Sequence, residues 1–231
     1  MPPTATRSPR SRQIRIWDLP TRLFHWLLAG CVIGAIATAQ IGGLWMDWHV
    51  RLGITTLFLL AFRLVWGFVG PYHARFGTFV RGPGAIRAYL GGTQLSAGHS
   101  PLAAVSVLLM LLAILVQVVT GLFATDGILI EGPLASWVSP AWSDTLTGIH
   151  QINRFVVVAL VVLHLLALVW YGAVRRQPLV RAMITGNKPL GYVPERAPES
   201  DDDWRVWLRG VVVAAVVVAA LLLALPPLRG G

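Results

Sequence analysis

Apolar residues along this chain fall into five stretches separated by short breaks of glycine, proline and charged residues. The stretches run from about Leu23 to Ile41, Trp48 to Val69, Leu102 to Ala124, Gly148 to Val174 and Val206 to Leu225. Each approaches or exceeds the roughly 20 residues that an α-helix needs to cross a hydrocarbon core about 30 Å thick. The pattern predicts an all-α integral membrane protein with five crossings. The fifth has the shortest uninterrupted core, from Val211 to Leu225, and Arg209 must snorkel toward the interface for it to insert. Punctuation divides the chain into a basic tail (1–15), a main helical domain (16–190), a polar linker (191–205) with Pro194, Pro198 and the acidic run Glu199 to Asp203, and a C-terminal helix with a short tail (206–231).

Composition supports the bilayer as solvent, since 55% of the 231 residues are hydrophobic and only 13% are charged. The formal charge of +9 is spread between the apolar runs and forms no basic stripe with interleaved aromatics, so a nucleic-acid partner is not expected. It reads as topology. Arg7, Arg10, Arg12, Arg15 and Arg22 flank the first helix; Arg75, Arg81 and Arg87 lie between the second and third; Arg175, Arg176, Arg181 and Lys188 follow the fourth. Thr125 to Thr147 has Asp126, Glu131 and Asp144 and no Lys or Arg, and Gly42 to Asp47 has no cation either. Cation-rich segments stay inside, so the amino terminus is expected in the cytoplasm and the acidic loop outside, in the periplasm of a Gram-negative inner membrane. Met1 to Arg15 resembles the start of a signal peptide, but the following run is long for a signal core and no small-residue cleavage site stands out, so a retained first helix is expected. The single Cys31 excludes a disulfide framework, and no C-x-x-C-H marks covalent haem attachment.

Four of the six histidines, His25, His49, His150 and His164, fall within or at the ends of the predicted crossings. Ionisable residues in such segments usually carry function, and neutral imidazole is a standard axial ligand of haem iron. Spacing sharpens the point. His150 and His164 are 14 positions apart on the fourth helix, which is about 1400° of rotation, about 40° short of four turns, and roughly 21 Å of rise. Both rings leave nearly the same face, one toward each side of the bilayer. Topology puts His25 at the level of His164 on the inner side and His49 at the level of His150 on the outer side. The blander reading makes each an ordinary interhelical histidine, yet it must then treat four matched depths as coincidence. Zinc or copper would have two ligands per level and no acidic or cysteine partner, too few for a closed site. His73 and His99, in the basic inner loop, are expected to be solvated surface histidines with no ligand role.

The segments RIWDLPTRLFHW (Arg15 to Trp26), WHVRLG (Trp48 to Gly53), FRLVWG (Phe62 to Gly67) and TGLFATDGILIEGPLA (Thr120 to Ala135), together with the fourth-helix IH and LH at His150 and His164, resemble the bacterial cytochrome b561 family. That family includes the membrane cytochrome b subunits of nickel-iron hydrogenases and formate dehydrogenases. The resemblance covers about Arg15 to Val174. It implies a four-helix transmembrane bundle enclosing two b haems on His25, His49, His150 and His164, with electrons exchanged between membrane quinone and a redox partner. The fifth helix departs from the basic bundle and leaves partner and assembly open.

Secondary candidates follow from position. Arg63 lies 14 residues after His49 and reaches the depth of His164, where a haem propionate would be a bidentate partner; snorkelling to lipid phosphate is the alternative. Arg154, one turn after His150, has the same choice at the outer haem, and Arg15 and Arg22 at the inner one. Gly53, Gly67 and Gly121 suit either close approach of a macrocycle or close helix packing. Trp17, Trp26, Trp45, Trp48, Trp66, Trp137 and Trp142 read as an aromatic belt. The expected function is electron transfer as a subunit of a quinone-linked oxidoreductase, with quinone as substrate and a periplasmic c-type cytochrome or other redox subunit as partner. A self-contained superoxide:quinone oxidoreductase, an activity known within the resembling family, ranks lower because the outer loop carries carboxylates where an anion would need a cationic funnel. A structural anchor without haem ranks lowest because all four histidines are present.

Overall fold

A computed structural model describes residues 13–92, 96–128 and 130–225. The expected tail residues Arg7, Arg10 and Arg12, and the carboxyl terminus from 226, lie outside the described residues. In chain order the elements are β1 (Gln13–Arg15), α1 (Leu19–Ile41), α2 (Met46–Val69), α3 (Phe76–Phe79), α4 (Pro83–Leu90), α5 (Pro101–Gly121), α6 (Pro140–Ala173), α7 (Leu179–Thr185), β2 (Asn187–Pro189) and α8 (Trp204–Ala224), besides short 3-10 turns. Five of them, α1, α2, α5, α6 and α8, are long and apolar enough to cross a membrane. At most 33% of any of these apolar spans is buried within the chain, so the rest needs lipid or another apolar surface. The protein is a multi-span membrane protein.

Polar caps set the helix boundaries that hydropathy leaves vague. Asp18 begins α1: its carboxylate accepts the Thr21 amide at 2.9 Å and the Thr21 hydroxyl at 2.8 Å. Pro20 sits in the first turn, where no amide is missed. At the other end Gly42 and Gly43 take φ of +69° and +57°, turning the chain directly into α2. Ser100 precedes Pro101 and caps α5 through Ala103 N–H to Ser100 Oγ at 3.2 Å. Asp203 caps α8, accepting the Val206 amide at 3.0 Å. The fourth crossing starts eight residues before the expected Gly148, at Pro140. Its early polar residues are satisfied, Ser143 Oγ by donating to Phe123 O just after α5 at 2.6 Å and Thr147 Oγ1 by donating to Ser143 O one turn back at 2.8 Å. At 34 residues α6 is about 51 Å long, well beyond a 30 Å hydrocarbon layer.

The chain forms two compact units. One contains the described residues up to Arg22 with Trp66–Ser106 and His164–Gly210. Here β1 and β2 pair antiparallel with Ile14 opposite Lys188, and Ile14, Ile16, Trp17, Ala182 and Val193 form an apolar cluster. Gly186, at φ +83°, accepts the amides of Ile16 and Trp17 at 2.9 and 3.1 Å. The linker closes over this cluster. Asp202 pairs with Arg15 at 3.4 Å and Arg22 at 3.5 Å, accepts the Leu19 amide at 2.7 Å and takes Trp207 Nε1 at 2.8 Å. Trp66 is fully buried and donates its Nε1 to Asp18 at 3.1 Å; with Trp17, also buried, it is a core residue and no part of an interfacial belt. His73 is likewise buried, its Nε2 on Pro198 O at 2.8 Å, because the linker covers it. The expectation of a solvated surface histidine fails there.

The second unit holds Leu23–Val65, Val107–Leu163 and the described residues from Val211. Its core is Leu57, Leu60, Ala113, Ile114, Val118, Leu122, Leu134 and Val157, drawn from α2, α5, α6 and the loop after α5. That loop folds back on itself: Asp126 accepts the amides of Ile128 and Ile130, both at 2.9 Å, and Leu134 N–H meets Leu122 O at 2.8 Å.

Candidate functional site

Within the second unit, the first turn of α2 and the first third of α6 bring His49 and His150 together. Their ring centroids are 6.1 Å apart and their planes stand at 88°. Each ring is held from behind by a main-chain carbonyl: His49 Nδ1 lies 2.9 Å from Ala35 O, and His150 Nδ1 lies 2.8 Å from Gln117 O. A carbonyl can only accept, so in the neutral ring this contact puts the proton on Nδ1 and leaves Nε2 with a lone pair. That is the tautomer a metal-ligating histidine needs.

α5 builds the seat for His150. Gly121 leaves room for the ring, since a Cβ there would lie 2.8 Å from His150 Cε1; the requirement for glycine is close packing against an imidazole. One turn earlier, Gln117 Nε2 sits 3.1 Å from His150 O and 3.1 Å from His150 Nε2, and its Oε1 accepts from Asn153 Nδ2 at 2.8 Å. Asn153 Nδ2 also reaches Ala113 O at 2.9 Å. Thr120 Oγ1 donates to Val116 O at 2.6 Å and stands 3.5 Å from His150 Nδ1. Motif reading passed over Gln117, Thr120 and Asn153. The available signals were a lone amide in the apolar run of α5, and an asparagine three residues after His150 and so on its face.

His25 lies on α1, half-buried, with its ring edge-on to Trp26 at 5.0 Å. His164 is half-buried on α6. The two belong to different units. Arg63 is 4% exposed, which removes snorkelling to lipid as its account. Arg154 is exposed, its guanidinium 4.7 Å from the Phe155 ring. Arg15 and Arg22 are engaged with Asp202 and with the carbonyls of Thr185 and Ile184, at 2.7 and 2.8 Å. Among the described residues no group of three or more His, Cys, Asp or Glu could hold a metal ion, so the site offers imidazoles in pairs at most.

Residues 16–186 match the profile of the family described as prokaryotic cytochrome b561. The chain belongs to that family. A further relative is a protein of Rhizobium leguminosarum bv. viciae named "Probable Ni/Fe-hydrogenase B-type cytochrome subunit", 23% identical over 214 residues that cover 77% of this chain and 89% of the relative. Membership makes this cytochrome b561-family protein a membrane cytochrome with a general electron-transfer role and a haem cofactor. The matched region stops before α8, so the match does not extend to the fifth crossing.

Proposed function

We propose that the chain carries two b haems, one on His49 and His150 and one on His25 and His164, and moves electrons between membrane quinone and a redox partner on the outer side. The observation that carries the reading is the outer histidine pair. Two metal–imidazole bonds of about 2 Å, with half a ring at either end, span about 6 Å between ring centres, and the rings of His49 and His150 are 6.1 Å apart. Both have Nδ1 tied to a carbonyl, which fixes ring orientation and leaves Nε2 for iron. The inner pair rests on helix register: α6 is unbroken from Pro140 to Ala173 and presents its two histidines about 40° apart in rotation. Bound haem supplies one-electron carriers whose potentials follow from axial ligands, burial and nearby charge. The chain supplies the imidazoles and the apolar surroundings, with Arg63 as a buried counter-charge for an inner propionate and Arg154 as an outer one.

The cation distribution puts the amino terminus, α3, α4 and α7 in the cytoplasm and the acidic loop after α5 outside. The loop's carboxylates at Asp126, Glu131 and Asp144 favour a basic partner such as a soluble c-type cytochrome. The relative's name makes a hydrogenase the other partner to try. Purified protein should show a reduced-minus-oxidised α band of low-spin b haem, two haems per chain by pyridine haemochrome, and reduction of that band by an added quinol. A protein that stays colourless when expressed with ample haem contradicts the reading. Rapid superoxide consumption with quinone and no partner would favour the self-contained enzyme over the subunit.

A further inference from the structure

Three polar side chains that no electron-transfer step requires meet in the apolar core beside His150: Gln117 and Thr120 from α5, and Asn153 from α6. Their neighbours Ala113, Ile114, Val118 and Val157 are buried hydrophobics. An amide in such surroundings is costly unless bonded, and here the bonds form one chain: Asn153 Nδ2 bridges Ala113 O (2.9 Å) and Gln117 Oε1 (2.8 Å), and Gln117 Nε2 reaches His150 O (3.1 Å). The Gln117 side chain therefore spans from α5 to the backbone of α6 at the residue whose ring donates to Gln117 O (2.8 Å). Side chain and main chain of one residue grip the same histidine from two directions.

We propose that Gln117 and Asn153 are positioning residues that set the strength of the His150 Nδ1–H bond and thereby the potential of the outer haem. This rests on the reading of His150 as an axial ligand. A short Nδ1–H···O=C bond shifts electron density onto the imidazole and strengthens its donation to iron, which favours the ferric state. Were Nε2 to hold the haem, the Gln117 amide would keep an acceptor in His150 O at 3.1 Å. Loosening the clamp lengthens the bond to Gln117 O, weakens donation and raises the potential of this haem alone. Interhelical glue of the ordinary membrane kind predicts lower stability with no selective change in potential.

The test is potentiometric titration of the purified full-length protein at the α band, comparing the natural sequence with Gln117→Met, Asn153→Ala and the double variant. The outer haem is identified as the one missing from His150→Ala. The expected result is retention of both haems with a rise in the outer midpoint equivalent to about a tenfold change in the ferrous:ferric ratio, ~59 mV for one electron. The inner haem should be unmoved and the double variant should shift no further than the larger single one, since both residues act through one chain of bonds. Unchanged midpoints, or equal shifts in both haems, overturn the proposal. Asn153→Ala leaves Gln117 in place and gives the same readout if Gln117→Met fails to accumulate. Failure of the underlying reading looks different: His150→Ala would then keep both haems.

Discussion

Substituting Gly121 by alanine strains the outer site through a single atom. The new Cβ would lie 2.8 Å from His150 Cε1 and 3.0 Å from Nδ1, whereas comfortable carbon contacts begin at about 3.5 Å. The ring must retreat by about 0.7 Å or more. Moved away from α5 by that amount, the 2.8 Å bond from Nδ1 to Gln117 O exceeds the ~3.2 Å limit of a good hydrogen bond. Overpacking of this kind costs about 1–3 kcal/mol, which corresponds to roughly 5- to 150-fold in haem affinity. The assay is the haem-to-protein ratio after purification, with the α-band spectrum, alongside Gly172→Ala, where a Cβ meets nothing within 4 Å. The control should hold two haems. Gly121→Ala should hold between one and two, losing the same spectral component as His150→Ala. Full occupancy with an unchanged spectrum would refute the claim that Gly121 seats a ligand.

Asp202→Ala removes the ion pairs to Arg15 and Arg22 and the bonds from Leu19 N–H and Trp207 Nε1; melting in detergent should report a loss of about 1–3 kcal/mol with haem content intact. Lys188 is 3% exposed, and burial pulls its ammonium down to about 8 from an ordinary 10.5. The unfolded chain then binds more protons between these values, so stability should rise as pH climbs from about 8 to 10.5, and Lys188→Met should flatten the rise while losing the bonds to Ser96 O and Ala97 O at 3.1 and 3.3 Å. Burial likewise holds the His73 imidazole below its usual range. Folding therefore keeps it neutral, the unfolded chain takes up its proton first as pH falls below 6.5, and melting temperature should drop with acidification through that point. Association with a basic c-type cytochrome should weaken as salt rises if the acidic loop after α5 steers it; salt-independent binding rules the steering out.

The five crossings were legible because a membrane-spanning helix needs about 20 apolar residues in succession, and such runs stand out in the sequence itself. Their ends were less so. Hydropathy could not see that Ser143 bonds across to Phe123 O and Thr147 back to Ser143 O, so the start of α6 at Pro140 emerges only from the bonds those hydroxyls make. Three-residue strands such as β1 and β2 have no period to detect, and their pairing is long-range. His73 and Trp66 read as surface residues because what buries them, Pro198 and Asp18, is remote along the chain. The histidine set stood out since ionisable residues are conspicuous in apolar helices, whereas Gln117 and Asn153 carry no motif and acquire meaning only from their distance to His150.

Replacing His25, His49, His150 and His164 by alanine one at a time, and counting haem by type in each purified protein, tests the account most directly. The account predicts two classes: His49→Ala and His150→Ala lose one and the same spectral component, and His25→Ala and His164→Ala lose the other. Loss of the same component from His49→Ala and His164→Ala, or retention of both haems in any of the four, would contradict it.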